Sequence, residues 1–244
     1  MERRRLGKTE MIVSRAAFGG LFVASFATEL EEAKRAVRRG LELGINYVDT
    51  APGYHNSEEV LGLALEGITT PYYLSTKLGG RPKPFDPKNP EHLWFSLRES
   101  LRLLKRDYVD ILLIHEPDRP GQYDWWDCWD TFHGPVSDFL EEVKAKGLIR
   151  YTGLGGTTAY EMARIIEKTN YDVVLTAFNY SLLWREAAIA VIPAAKKKGM
   201  GVIAGSPLQQ GWLARRFDDI VRDRPPAWLS PQRREQLLRL YAYV

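Results

Sequence analysis

The chain has 244 residues, 45% of them hydrophobic and 27% charged, with a formal net charge of +3. That is the make-up of an ordinary globular protein with material for one large domain or two small ones. No apolar run approaches the ~20 residues of a membrane-spanning helix. The opening Met1-Glu2-Arg3-Arg4-Arg5 lacks the apolar stretch of a signal peptide. Cys128 stands alone, which excludes an internal disulfide or a thiolate metal cluster. The basic runs are short and not interleaved with aromatics, which argues against nucleic acid. The expectation is a cytoplasmic protein with a small-molecule ligand, its oligomeric state open.

In chain order, residues 3–14 read as two short runs around the turn residues Gly7-Lys8-Thr9, a hairpin suited to closing the bottom of a barrel. Seven apolar runs follow: 16–20, 46–50, 72–78, 109–115, 151–156, 173–178 and 201–207. They are rich in β-branched and aromatic residues, as strands covered on both faces are. Amphipathic stretches separate them: 29–43 ending before Gly44, 57–65 behind the N-cap candidate Asn56, 91–105, 136–146 ending before Gly147, 159–168, and 186–198 ending before Gly199. A last helix is expected over 231–243. Strand–helix alternation implies parallel strands. The first strand runs into Phe18-Gly19-Gly20 and not into G-x-G-x-x-G. The pattern therefore predicts an α/β fold of the TIM type, a (β/α) barrel with an N-terminal hairpin, over a doubly wound sheet. Residues 1–244 read as one domain.

Barrel strands carry functional residues at their C-terminal ends. Asp49 closes the second strand, Tyr54 follows it, Lys77 closes the third and His115 the fourth. A charge ending an apolar strand needs a partner, and Asp49 and Lys77 sit on neighbouring strands. A lysine beside a tyrosine favours the phenolate and lowers the phenol pKa. A tyrosine so tuned suits proton donation to a carbonyl oxygen. Taken singly, each residue is more often structural than catalytic. Two long loops, 79–90 and 116–134, leave the same face. The second carries Trp125, Trp126 and Trp129, either as walls of a substrate pocket or as a cover over the barrel mouth.

The motifs Asp49-Thr-Ala-Pro-Gly-Tyr54, Ser-Thr-Lys77 and Ile-His115 resemble the Asp, Tyr, Lys and His tetrad of the aldo-keto reductases, and more loosely their bacterial, sugar-dehydrogenase-like branch. Leu6-Gly7-Lys8-Thr9, Asn56-Ser57-Glu58, Gly147-Leu148-Ile149-Arg150 and Ser206-Pro207-Leu208 with Gly211 extend the likeness over nearly the whole chain. The resemblance implies an NAD(P)(H)-dependent oxidoreductase that interconverts a carbonyl and an alcohol, with NADP(H) favoured over NAD(H) and no metal. Tyr54 would exchange the proton, Lys77 tune it, Asp49 hold Lys77 and His115 steer the carbonyl. Gly20, Gly155, Gly156, Ser206, Pro207, Leu208 and Gly211 would hold the dinucleotide. The chain departs from the family pattern in having Gly155-Gly156 for Ser-Asn and Gly205 for a stacking Tyr. It stops at Tyr241–Val244, inside what reads as the seventh helix, so the eighth β/α unit is missing from it. That would leave an open edge between the seventh and first barrel strands. A non-catalytic, cofactor-sensing member of the same fold is the alternative. A metal-dependent barrel hydrolase is disfavoured because the chain's four histidines form no cluster in sequence.

Overall fold

The computed structural model describes residues 1–226 and 229–244. Two short strands, β1 (Arg3–Arg5) and β2 (Ile12–Ser14), pair antiparallel as a hairpin. Seven parallel strands follow in one sheet, each beside its sequence neighbour: β3 (Phe18–Gly19), β4 (Tyr47–Asp49), β5 (Tyr73–Leu78), β6 (Val109–His115), β7 (Ile149–Gly156), β8 (Val173–Ala177) and β9 (Gly201–Gly205). The connecting helices are α1 (Leu30–Glu42), α2 (Ser57–Ala64), α3 (Pro90–Leu104), α4 (Pro135–Ala145), α5 (Ala159–Lys168), α6 (Glu186–Ile189) and α7 (Val191–Lys197). After β9 come α8 (Asp218–Asp223) and α9 (Pro231–Tyr243). The sheet curls into a nearly closed (β/α) barrel.

Side chains alternate across a strand, so each barrel strand divides its residues between two cores. Leu112 and Ile114 of β6 join Leu74 of β5 and Leu154 of β7 in the layer under the helices. Ile111 and Leu113 face inward with Tyr47, Val173 and Leu175. The hairpin plugs the bottom of this inner core with Leu6 and Met11. Two inner tyrosines reach down to it, Tyr151 Oη accepting from Glu10 N at 3.0 Å and Tyr73 Oη from Ile12 N at 3.4 Å.

Strands β3 and β9 are the sheet's edges, each paired on one side only. The gap between them is a cavity of about 630 Å³, walled by Leu6, Val13, Tyr47, Leu175 and Ile203. This is the open edge expected from the sequence.

Four local expectations are corrected. The stretch 186–198 is not one helix: it breaks at Ala190 into α6 and α7. Pro193 lacks an N–H and its ring crowds the carbonyl four residues back, at Ile189, which is where α6 ends. The first barrel strand stops at Gly19. Gly20, whose carbonyl accepts from Ser57 Oγ at 2.7 Å, opens a 3-10 turn over Gly20–Val23. Asn56 does not cap α2; its Oδ1 accepts from Ser25 N at 2.9 Å. Helix α8 was not expected; its Val221 packs with Trp184, Leu229 and the α9 residues Leu237 and Tyr241 in a satellite core.

Candidate active site

The inward register that buries Tyr47, Ile111 and Leu113 continues to the C-terminal ends of the same strands. Asp49 follows Tyr47 by two, Lys77 follows the inward Tyr73 by four, and His115 follows Leu113 by two. Period-2 alternation thus aims three polar side chains at one point above the inner core. Lys77 Nζ donates to Asp49 Oδ2 at 2.7 Å and to Thr50 O at 2.7 Å, and is almost fully buried. Ser75 Oγ donates to the other oxygen, Asp49 Oδ1, at 2.6 Å, and itself accepts from Tyr47 Oη at 2.8 Å.

Tyr54 reaches this cluster from the β4–α2 loop. A turn closed by Tyr54 N to Ala51 O at 3.0 Å and the start of α2, Ser57 N to Tyr54 O at 2.9 Å, fix its backbone. Its ring lies 4.9 Å from Lys77 Nζ and meets the His115 ring edge-on at 6.0 Å. The four residues read from strand ends are therefore one constellation.

Burial opposes the charge on Lys77, but Asp49 and Tyr54 outweigh it and hold the ammonium's pKa above its ordinary value. For Tyr54 the lysine is the largest single influence and pulls the phenol down. Burial and the Asp49 carboxylate together outweigh it, and the net direction is upward. The expected lowering is thus corrected: the phenol holds its proton through the neutral range. His115 is depressed to about 3, first by burial and then by Lys77, so its imidazole is neutral. Its Nδ1 is buried without a partner among the described residues.

The backbone at this face is held in an unusual state. His55, Glu116, Phe178, Ser206, Gln209 and Gln210 all have φ between 50° and 66°. Non-glycine residues there carry about 1–3 kcal/mol of strain each, and such residues concentrate at functional sites. Three of them directly follow Tyr54, His115 and Gly205.

Beside the constellation lies a cavity of about 620 Å³ that brings Gly20, Ser206, Pro207, Leu208 and Gly211 together with Asp49 and Tyr54. Its size is that of a ligand pocket. Gly19 and Gly211 line it, and a Cβ at either would meet nothing within 4 Å. Small residues thus leave a cradle that larger side chains would fill, and this leaves room for a dinucleotide. Gly155 faces the same interior, its Cβ position 3.5 Å from Lys77 Cε. Gly156, one residue on, turns outward to α5, its Cβ position 2.4 Å from Asp118 Oδ1.

The tryptophans divide. Trp125 and Trp126 are fully buried, with indole N–H groups donating to His115 O and Pro117 O at 2.9 Å. Trp129 is half-buried against Phe132. The aromatic ring nearest His115 on this loop is Tyr123, at 6.4 Å, backed by Trp125 and Phe85. Two acids after His115 escaped the sequence reading. Asp118 Oδ2 accepts from Thr158 N and from Thr157 N at 3.0 Å, and so caps α5, whose own N-cap Thr158 makes no side-chain cap bond. Glu116 accepts from Thr157 Oγ1 at 2.8 Å, and burial pushes its carboxyl up. The only sequence signal was the Glu-x-Asp pattern after a strand-ending His. Among the described residues no three His, Cys, Asp or Glu side chains group to hold a metal, and no helix is long and apolar enough to cross a membrane.

Residues 17–239 match the model of the aldo/keto reductase family. The chain is 31% identical over 238 residues to L-galactose dehydrogenase of Arabidopsis thaliana, covering 93% of this chain and 70% of that protein. It is 30% identical over 212 residues to D-threo-aldose 1-dehydrogenase of a Pseudomonas species, covering 75% of this chain and 62% of that one. Among solved structures it is similar to the holo form of an aldo-keto reductase from Bacillus halodurans, with a TM-score of 0.71, 25% identity, and coverage of 99% of this chain and 83% of that one. The tetrad geometry, the barrel and these relatives agree: the chain belongs to the aldo/keto reductase family of oxidoreductases.

Proposed function

We propose that the protein interconverts a small carbonyl compound and its alcohol with a nicotinamide dinucleotide, NADP(H) in preference to NAD(H), as one cytoplasmic barrel domain. The observation that carries this reading is the placement of Tyr54 against both Lys77 and His115, at the edge of a cavity of dinucleotide-pocket size. When bound, the reduced dinucleotide supplies a hydride. Ser206, Pro207, Leu208 and Gly211 of the loop after β9, with Gly20 after β3 and Gly155 at the end of β7, would hold it, and Gly156 would contribute by letting β7 pass under Asp118.

Tyr54 donates its proton to the carbonyl oxygen. Its raised pKa keeps that proton available, and the Lys77 ammonium stabilises the phenolate left behind. Asp49 fixes Lys77 and balances its charge in the buried site. Neutral His115 hydrogen-bonds the carbonyl oxygen and orients it. In the oxidative direction the same groups run in reverse, Tyr54 taking the alcohol proton. Trp125 backs Tyr123 on the substrate side, while Trp126 and Trp129 support the loop from behind through Phe132. The two named relatives act on galactose and on aldoses, and an aldose or a simple aldehyde is the first substrate to try. Fluorescence titration with NADPH and NADH, followed by aldehyde-dependent oxidation of the bound dinucleotide, tests the proposal. Tight NADPH binding without turnover of any aldehyde or aldose would overturn the catalytic part.

A further inference from the structure

A second cavity, of about 410 Å³, lies on the other side of the β9 loop and shares Gln210 with the first. Its charged lining is two arginines, Arg119 and Arg233, and no acid lines it. Thr157, Asn179 and Gln209 complete its polar wall. The cavity is linked to the reacting centre through Gln210, which also lines the cavity that holds Asp49 and Tyr54. Arg119 lies four residues beyond His115, and Thr157 Oγ1 is bonded to Glu116, the residue after His115.

Neither arginine is neutralised by a close, saturating partner. Arg119 Nη1 stands 3.7 Å from Glu116 Oε2, beyond ordinary hydrogen-bond length, and its side chain is 53% exposed. Arg233 Nη2 contacts Glu186 Oε1 at 3.3 Å while its guanidinium stacks 4.7 Å from the Trp184 ring centre. A guanidinium has five N–H donors, so each keeps most of its donors for another acceptor. Stacking on Trp184 also pre-orders Arg233, which lowers the entropy lost on binding.

We infer that this cavity binds the oxyanion of an acidic carbonyl substrate, a carboxylate or phosphate remote from the reacting carbon, through Arg119 and Arg233. The inference rests on the reading of Tyr54 and His115 as the reacting centre. The same chemistry could instead serve a phosphate of the dinucleotide, and the two sources separate experimentally.

The probes are 4-carboxybenzaldehyde and its neutral methyl ester, with binding to the whole chain measured by isothermal titration and turnover measured separately. The acid is expected to bind at least about tenfold more tightly than the ester, as one charge-assisted hydrogen-bonded pair gives, and the preference to shrink with added salt. Arg119→Met and Arg233→Gln should each lower the acid-to-ester ratio about tenfold, and Arg119→Lys should restore part of it. Arg119 is half exposed, so its variants decide the matter even where Arg233→Gln disturbs the packing on Trp184. Equal binding of acid and ester, or a preference that survives Arg119→Met, overturns the inference. So does a rise in the NADPH dissociation constant with an unchanged acid-to-ester ratio, which would assign the cavity to the dinucleotide. Selective binding of the acid with no reduction of either aldehyde would refute the role of Tyr54 and leave the anion site standing.

Discussion

Replacing Lys77 by Met tests the centre of the site. The side chains are of similar length, so the change removes a charge more than a volume. In the native chain Lys77 Nζ makes two bonds of 2.7 Å, to Asp49 Oδ2 and Thr50 O. Removing one partner of a buried ion pair costs about 3–5 kcal/mol, because the other charge is left uncompensated. Asp49 keeps the Ser75 hydroxyl at 2.6 Å and its side chain is 11% exposed, which places the loss near the lower end. At about 2–4 °C per kcal/mol for a chain of this size, a loss of about 3 kcal/mol lowers Tm by about 6–12 °C. The assay is thermal unfolding of Lys77→Met, Asp49→Asn and the double variant. The double variant should be less damaged than the two single losses added, because a neutral amide in place of the Asp49 carboxylate no longer needs a cation. A Lys77→Met protein that melts with the wild type, or strictly additive losses, would mean that Asp49 is satisfied without Lys77 and that the pair is not the framework of the site.

Tyr54→Phe should reduce carbonyl turnover about 10²–10⁴-fold, the range of general acid catalysis, while the NADPH dissociation constant moves by no more than a few-fold; undiminished turnover refutes the proton role. His115 stays neutral in the folded chain down to about pH 3, whereas the unfolded chain takes up that proton near 6.5. Between those values the unfolded state binds more protons, so stability drops as the pH is lowered, by about 2 kcal/mol from this group at pH 5. Denaturant midpoints of His115→Asn should therefore fall less steeply below pH 6.5 than those of the wild type, and parallel slopes would contradict the burial of a neutral ring. Trp125→Phe strands the His115 carbonyl and should cost about 1–3 kcal/mol, with KM for the carbonyl substrate rising more than that for the dinucleotide; unchanged stability and kinetics would make the loop irrelevant to the pocket. Gly156→Ala places a Cβ 2.4 Å from Asp118 Oδ1 and Met162 Sδ and should destabilise by about 1–3 kcal/mol; a wild-type Tm would mean that α5 shifts freely.

By itself the sequence determined the barrel and singled out the polar residues at its strand ends. Strand alternation has a period of 2, so a polar residue that ends an apolar strand in the inward register points into the barrel mouth, and Asp49, Lys77 and His115 all carry that signature. The break between α6 and α7 was missed by apolar periodicity, which runs through 186–198 as one helix, although Pro193, which cannot donate to Ile189, carries the local signal for it. Only the tertiary structure decided the rest, since these features depend on groups distant in sequence. The direction of the Tyr54 pKa is a balance between Lys77, burial and Asp49, and neighbouring strands imply the first but not the depth of the second. Trp125 and Trp126 could be pocket walls or core from composition alone; their depth, and the carbonyls of His115 and Pro117 waiting for their N–H groups, places both in the core. Helix α5 is capped by Asp118, some forty residues earlier, which no local capping rule can anticipate. Arg119 and Arg233 lie more than a hundred residues apart, and only the approach of α9 to the β8–α6 side puts the two cations on one cavity wall that no carboxylate lines.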